Sequence, residues 1–279
     1  MNSRTALLLF LVSVTVIWYG VIWIGQLAPI VLPPPHLVVV IMAKEWSSLL
    51  YNTAVTLGTA LTGYFFANAI AILLAISFLY LGWLRSLATP WVIVIKNLPI
   101  VSVASLLIIT FGDSPTPRIL VVILICFHPL LANLMKGFEE VDPNLLSRFQ
   151  TLHATSWQRF RYVLLPNALP YYVAAHEIAF TSSIIAAVIA EFFFSRQGLG
   201  YLLTEAMNDH RGDRLWAANV IIALLSAAAY LVSRWLESIL IPWRREAKYP
   251  PQANALNCFA NFARSSVAFG ALGNCTLKI

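Results

Sequence analysis

Charged residues are scarce in this sequence. Only 11% of its 279 residues are charged, whereas 59% are hydrophobic and the mean hydropathy is +0.77. A soluble globular domain carries about 25% charged residues. A chain so poor in charge cannot stay soluble with this much apolar surface, which excludes an ordinary water-soluble protein. We therefore expect an all-α membrane protein.

Motifs of catalysis and metal binding are also missing. The sequence has no G-x-x-x-x-G-K-[ST] loop and no G-x-S-x-G elbow, and the possible zinc motif that begins at His176-Glu177 ends in Phe180. The three cysteines lack metal-ligand spacing and are interpreted as unpaired thiols. We expect no catalytic residue, metal site or cofactor on this chain, and no enzymatic activity.

Long uncharged runs indicate how the chain is organised. A helix needs roughly 20 mostly apolar residues to cross a bilayer, and the runs predict six spans, at about 6–25, 53–80, 88–111, 119–136, 168–192 and 215–236. The first is too long for a signal peptide and is interpreted as a signal anchor. The spans form a membrane domain, 1–249. Residues 250–279 are predicted to be a disordered tail or, alternatively, a short surface helix.

The distribution of Lys and Arg predicts the orientation in the cell membrane. With a cytoplasmic N-terminus, ten basic residues lie in inside loops and five in outside loops, so both termini are expected in the cytoplasm. Residues 36–52 are expected to form an amphipathic segment on the outer face. The net charge of +6 is explained by basic loops facing anionic lipid and requires no nucleic acid.

The largest inside loop, 137–166, predicts a hairpin of two short amphipathic helices. Asp142-Pro143 is a typical helix start, because Asp caps free N–H groups and Pro fits the first helical position. Apolar stripes follow at helical spacing on both predicted helices. The hairpin either lies on the membrane surface or inserts into a groove on a cytoplasmic partner.

This loop resembles the signature of binding-protein-dependent ABC importer permeases, in particular the nitrate/sulfonate/taurine-type branch. That loop runs D-P-x-L-x-E-A-A-x-x-L-G-A, then Trp, then L-P-x-A-L-P; here "VDPNLLSRFQTLHATSWQRFRYVLLPNALP" follows it in one register. The segments "NTAVTLGTALTG", "KNLPIVSVASLLIITFG" and "AEFFFSRQGLGYLL" are similar to other hallmarks of the branch. The resemblance extends over residues 18–245.

The resemblance implies a fold and a set of partners. It implies a six-helix permease that pairs with a second copy, docks on cytoplasmic ATPase subunits that bind ATP and Mg, and receives cargo from an extracytoplasmic substrate-binding protein. The residues implied in ATPase coupling are Asp142, Pro143, Leu145, Leu146, Phe149, Leu152, His153, Ala154 and Trp157. The family's E-A-A triplet is replaced here by Ser147-Arg148-Phe149, and the turn glycine by His153, so coupling strength or partner identity is expected to differ.

Ionisable residues at membrane depth mark a translocation path or a pairing site. Lys96, before Asn97 and Pro99, either lines the path or reaches the inner headgroups. Glu177 lies too deep to reach them and is expected to pair, with Lys96 as a candidate partner. Glu191 is expected to be structural at an outer gate.

Two glycines and three arginines complete the outer features. Gly198 and Gly200 suit a turn that needs positive φ or a close backbone approach. Arg196, Arg211 and Arg214 would suit an acidic binding protein or an anionic solute.

The resulting hypothesis is the permease subunit of an ATP-driven importer of a small solute. The alternatives are a secondary transporter that acts alone and a membrane scaffold without transport.

Overall fold

A computed structural model describes residues 3–26 and 28–240 of the chain, and every described element is helical. The chain divides into two compact units, residues 1–237 and 238–279. Only 238–240 of the second unit are described, so the predicted tail 250–279 lies outside the described residues. The helices are α1 Ser3–Gly25, α2 Pro35–Lys44, α3 Trp46–Tyr80, α4 Gly82–Asn97, α5 Ile100–Phe111, α6 Pro115–Glu139, α7 Pro143–Thr151, α8 Ser156–Arg159, α9 Leu165–Phe194, α10 Leu199–Asn208 and α11 Gly212–Leu240.

Four described helical stretches are long and apolar enough to cross a membrane: Trp46–Tyr80, Pro115–Glu139, Ser156–Phe193 and Gly212–Leu240. They contain the predicted spans 53–80, 119–136, 168–192 and 215–236. The pair α4 and α5 makes a fifth if it is counted as one span. The described side chains of α1 cover only part of its length, so the count of six spans stays a prediction.

The predicted span 88–111 is broken rather than straight. Helices α4 and α5 meet at 96° across Leu98-Pro99, and both of these residues have extended ψ angles, 135° and 109°. Proline lacks the N–H that would continue the helix and disfavours a helical conformation in the residue before it. The predicted span 88–111 therefore consists of two helices joined at a break rather than one helix.

The predicted outer segment 36–52 is also divided differently. Helix α2 ends at Lys44, and the long helix α3 already begins at Trp46. The first turns of α3 carry polar residues, and the Asn52 amide donates to the Ser48 carbonyl of the same helix over 2.8 Å. The prediction of one segment over 36–52 is therefore wrong, because residues 46–52 belong to α3.

Helix α6 is central to the core and packs mainly against α3 and α9. Helix α3 presents small buried residues to it at intervals of three or four: Ala60, Gly63, Ala67, Ala71 and Ala75. Large apolar side chains cover the outer surface instead, including Phe65, Trp83 and Trp91. Small residues inside allow helix backbones to approach closely, which is how helices associate in lipid.

One close contact in this core tests the packing. A Cβ atom added at Gly63 would lie 2.5 Å from the Cβ of Val122 on α6, whereas one added at Gly58, on the same helix, meets nothing within 4 Å. We expect Gly63→Ala to lower the free energy of unfolding by about 1–3 kcal/mol through overpacking. The matched change Gly58→Ala should be neutral or stabilising by up to about 1 kcal/mol. Thermal unfolding of both variants in detergent measures the difference, and equal melting temperatures would contradict the packing.

Candidate functional site

At one end of the bundle, a buried carboxylate joins three helices. Glu191, near the end of α9, has no exposed surface. Its Oε2 accepts a hydrogen bond from the Thr56 hydroxyl of α3 over 2.7 Å and one from the Gly200 N–H of α10 over 3.2 Å. We call Glu191, Thr56, Asn52, Gly198 and Gly200 the Glu191 cluster.

The turn before α10 completes the Glu191 cluster. The Gly198 N–H donates to Asn52 Oδ1 over 2.7 Å, and the Leu199 N–H donates to Thr56 Oγ1 over 2.9 Å. Gly198 has φ +103°, and a Cβ there would lie 2.3 Å from the Glu191 carboxylate. A Cβ at Gly200 would lie 2.2 Å from the Val188 carbonyl oxygen. The turn therefore needs glycine at 198 for its φ and at 200 for the close approach of α10 to α9.

The structure thus brings Glu191, which the sequence predicts at an outer gate, together with Gly198 and Gly200 of the predicted turn. It adds Asn52 and Thr56, which the sequence analysis missed. The signal for them was present, because residues four apart lie on one helix face, and a face that carries Asn and Thr in an otherwise apolar helix needs polar partners.

The Thr56 hydroxyl is the central link of the Glu191 cluster. In Thr56→Val the carboxylate loses a donor and the Leu199 N–H loses its acceptor, so we expect the free energy of unfolding to fall by about 2–4 kcal/mol. Thr62→Val is the matched control, because this exposed hydroxyl of the same helix bonds only to the Gly58 carbonyl. Its effect should stay within about 0.5 kcal/mol. Melting temperatures in detergent measure both, and a Thr56→Val melt equal to wild type would refute the linking role.

The opposite end of the bundle carries the predicted hairpin. The helix start at Asp142-Pro143 is confirmed, since the Asp142 carboxylate accepts from the Asn144 N–H over 2.8 Å and Pro143 opens α7. Helix α8 begins with a capping box in which Thr155 and Gln158 bond each other's backbone N–H groups. Both helices are therefore held by local hydrogen bonds that their own sequence supplies.

The second hairpin helix is not separate from the membrane span. Helix α8 passes through a π-helical turn, Phe160–Leu164, directly into α9. Pro166 lies in the first turn of α9, where a missing N–H costs little. The Asn167 amide donates to the Gly137 carbonyl over 2.7 Å and fastens this turn to the end of α6.

Exposed apolar side chains distinguish the hairpin. Leu145 is 40% exposed, Leu152 75% and Trp157 62%, whereas Leu146 and Phe149 are half-buried. Beside the hairpin, the Tyr171 hydroxyl donates to Glu140, and this hydrogen bond lowers the pKa of the Glu140 carboxyl. The stripe predicted from the sequence thus divides into residues that pack on the protein and residues that face outward.

The turn of the hairpin has a left-handed residue at its centre. His153 has φ +51° where the resembling family has glycine, and Ala154 follows it. A left-handed conformation costs an L-residue about 1–2 kcal/mol, although His adopts it more readily than most. The substitution therefore leaves the turn in the conformation that glycine would adopt, at some strain.

Replacing this residue tests the strain. We expect His153→Gly to raise the local opening free energy of residues 143–159 by about 0.5–1 kcal/mol, because relief of strain exceeds the extra entropy lost by glycine. His153→Ala should bring no such gain, since alanine pays the same steric cost. Hydrogen–deuterium exchange of the hairpin measures both. Faster exchange in His153→Gly than in wild type would contradict this account.

The ionisable residues predicted at membrane depth are not brought together. Lys96 and Asn97 end α4 and are exposed, as is Pro99 in the break. Glu177 is half-buried on α9, and no ion pair joins it to Lys96 within the described part of the chain. The expected Lys96–Glu177 pair is therefore wrong.

Lys96 and α9, the helix that carries Glu177, contact different faces of α6. The Cys126 thiol of α6 faces α9 and donates to the Ala179 carbonyl over 3.3 Å. His128 lies about 200° further round the helix, at about 100° per residue, and shares a groove with Lys96. Helix α6 therefore stands between Lys96 and α9.

A polar network between α3 and α9 is a feature that sequence analysis missed. The Tyr172 hydroxyl donates to Asn68 Oδ1 over 2.6 Å, and Tyr64 hydrogen-bonds His176 Nδ1. The rings of Tyr172 and His176 meet edge to face at 4.2 Å between centroids. All four side chains are half-buried, and their hydrogen bonds join the two helices at membrane depth.

The arginines of the Glu191 end are largely neutralised within the chain. Arg211 and Arg214 both contact Glu45 at 2.7 Å, and Arg214 also contacts Glu205 at 2.6 Å. Because their charges are paired within the chain, Arg211 and Arg214 do not favour an acidic partner as the sequence predicts. Arg196 remains 90% exposed, 3.9 Å from Asp113. Among residues 3–26 and 28–240, no three His, Cys, Asp or Glu side chains could hold a metal ion.

The apolar spans, the hairpin and the Glu191 cluster define a helical, multi-pass membrane transport protein. Residues 67–246 match the family described as "Binding-protein-dependent transport system inner membrane component", which is more than half of the chain, and the chain belongs to that family. The predicted resemblance to ABC importer permeases is thereby confirmed. The protein is a multi-pass component of the cell membrane.

Relatives and a solved structure agree with this assignment. The formylaminopyrimidine transport permease protein ThiX of Halalkalibacterium halodurans is 27% identical over 85% of this chain and 95% of its own length. The taurine transport system permease protein TauC of Escherichia coli is 25% identical over 83% of this chain and 87% of its own. The crystal structure of an amino acid ABC transporter shares the fold, with 17% identity and a TM-score of 0.57 over 74% of this chain and 97% of that one.

Proposed function

We propose that this chain is the membrane subunit of an ATP-driven importer and that the hairpin around α7 docks on a separate ATPase. The observation that supports this most directly is the exposed apolar surface of the hairpin, formed by Leu145, Leu152 and Trp157. An amphipathic helix places such a stripe in a groove of its partner. The residues proposed for docking are Asp142, Pro143, Leu145, Leu146, Phe149, Leu152, His153, Ala154 and Trp157.

The continuity of α8 and α9 supports a mechanical role for the hairpin. Ser156–Phe193 is one helical stretch of 38 residues, which is about 57 Å at 1.5 Å per residue. It begins at the hairpin and carries Glu191 close to its other end. Displacement of the hairpin by an ATPase would therefore tilt this whole helical stretch, whose far end is hydrogen-bonded to α3 and α10.

This coupling would produce alternating access. The Glu191 cluster fastens α9 to α3 and α10 in one state, and the ATPase would favour a second state in which those contacts rearrange. A partner shifts such populations only by binding the two states with different affinity. Here that difference would come from ATP and Mg²⁺ bound on the ATPase, while this chain carries out no bond chemistry.

An importer of this kind would also need a second permease copy, a binding protein and a path for the solute. A second permease copy, most simply an identical chain, would complete the path, and an extracytoplasmic binding protein would deliver the solute at the Glu191 end. Six spans with both termini in the cytoplasm would put the hairpin on the ATPase side. Lys96, Asn97, Pro99, Glu177, Glu191, Gly198 and Gly200 are the residues proposed for the path and its gate. The solute is proposed to be small and anionic, as a nitrate, a sulfonate or taurine would be.

One observation favours a second candidate, a secondary transporter that acts alone. Broken helices at the midplane are typical of such transporters, which carry them in pairs related by an internal repeat. The described residues contain one broken pair, α4 and α5. Uptake driven by a proton or sodium gradient after removal of ATP would support this candidate.

The docking proposal is tested on the most exposed residue of the stripe. We expect Leu152→Asp to abolish copurification with the ATPase, because a carboxylate cannot be buried unpaired in an apolar groove. Phe149→Asp should act in the same way. Gln150→Asp is the matched control, since it adds the same charge to an exposed position of α7 off the apolar stripe. Native mass spectrometry of the solubilised complex measures the outcome.

The expected wild-type mass is that of two permeases and two ATPases. A wild-type chain that is always isolated alone, or a complex that survives both Leu152→Asp and Phe149→Asp, would reject the docking role. Partner binding without solute flux would instead favour the scaffold alternative.

A further inference from the structure

A groove beside the α4–α5 break is lined by the Lys96 ammonium and the His128 ring, neither of which forms an ion pair with a described carboxylate. A cavity of about 190 Å³ is lined by Lys96, Ile100, Val103, Leu124, His128 and Pro129, among others. A second cavity, of about 210 Å³, has His128 as a shared wall and extends to Thr89 and Arg85. His128 therefore lies at the junction of these two spaces, and Lys96 lines the first of them beside it.

Helix length puts the junction near the middle of the span formed by α6. His128 is thirteen residues from the start of α6 and eleven from its end, which is about 20 Å and 17 Å at 1.5 Å per residue. Lys96 lines the same cavity as His128, so the two side chains lie at a similar depth. This depth disfavours the alternative that the Lys96 ammonium reaches the headgroups, about 15 Å from the midplane.

Lys96 has no carboxylate partner at this depth. None of the ion pairs within the described ranges includes it, and α6 separates it from Glu177. Arg85, the other cation of the joined cavities, already pairs with Glu139. A charged side chain at the bilayer centre costs about 2.5–3.5 kcal/mol on insertion scales, so the Lys96 ammonium favours a counter-charge from outside the described chain.

The helix break adds a second source of positive potential. Leu98 and Pro99 are extended, and α5 begins at Ile100, which lines the same cavity as Lys96. The first N–H groups of a helix lack partners and carry the positive end of its dipole. Half-helices whose N-terminal ends meet the substrate near the midplane bind anionic groups in other transporters.

We infer that Lys96 and His128 form an anion-recognition point at the α4–α5 break, for a small solute that carries an anionic group. The inference rests on the proposed permease function and specifies the class of its substrate. The cavity of about 190 Å³ is smaller than the roughly 300–1,000 Å³ that drug-sized ligands occupy, which favours a small ion. Lys96 supplies the charge, and His128 supplies a ring nitrogen that donates or accepts a hydrogen bond.

Binding of a matched pair of probes tests this inference. The full chain in phosphatidylcholine nanodiscs is titrated with ethanesulfonate and with ethanesulfonamide, its uncharged isostere, by calorimetry. We expect wild type and Lys96→Arg to bind ethanesulfonate at least about tenfold more tightly than the amide. Lys96→Gln should weaken ethanesulfonate binding about tenfold or more, and His128→Phe should weaken it severalfold. Lys44→Gln, which removes an exposed charge from the end of α2, should bind as wild type does.

A labelling experiment tests access to the same point. Lys96→Cys in membrane vesicles should react with an anionic, water-soluble methanethiosulfonate, with the wild-type chain and its native cysteines as the background. Val94→Cys, two residues away, exposed and outside the cavity lining, should not react. Equal reactivity at the two positions would overturn the inference.

The binding results distinguish the remaining interpretations. Absence of ethanesulfonate binding by wild type, equal binding of the amide, or undiminished binding by Lys96→Gln would each overturn the inference. Competition by phosphatidylglycerol would assign the groove to a lipid headgroup and overturn it as well. Because these assays use the permease chain alone, their result is independent of whether the hairpin docks on an ATPase.

Discussion

The close approach of α3 and α9 to α6 positions all the candidate functional elements of the described chain. Lipid is as apolar as the side chains it would replace, so helices in it associate through tight packing and internal hydrogen bonds rather than through exclusion of water. Gly63, Gly137 and the alanines of α3 and α9 permit that packing, because each leaves space for a neighbouring helix. Large apolar side chains remain for the surface.

Polar contacts between the helices are concentrated at the two ends of α9. Glu191, Thr56 and Asn52 join α9, α3 and the turn before α10 at one end. Asn167 and the π-helical turn fasten α9 beside α6 at the other end. A hydrogen bond between buried groups is costly to leave unmade, so these contacts fix the register of α9 at both ends. The long helix can then transmit a displacement of the hairpin to the Glu191 cluster.

The hairpin and the Lys96 groove, in contrast, contain groups that lack a partner in the described chain. Leu152 and Trp157 expose apolar surface that has no partner in the described chain, and Lys96 carries a charge with no carboxylate beside it. Such groups are unfavourable in an isolated chain. They become understandable if an ATPase covers the first and an anion approaches the second.

The sequence by itself determined the class of protein, most of the long spans and the start of the hairpin. Scarce charge, long apolar runs and the Asp142-Pro143 pair are local signals, and each follows from the chemistry of neighbouring residues. It also indicated Glu191, Gly198 and Gly200 as related, because they lie close along the chain. The tertiary structure alone decided what lies far apart in sequence: Thr56 beside Glu191, and His128 rather than Glu177 beside Lys96. Such pairings depend on which face of α6 each helix contacts, and a 100° step per residue changes that face without changing the apolar character that a sequence pattern records.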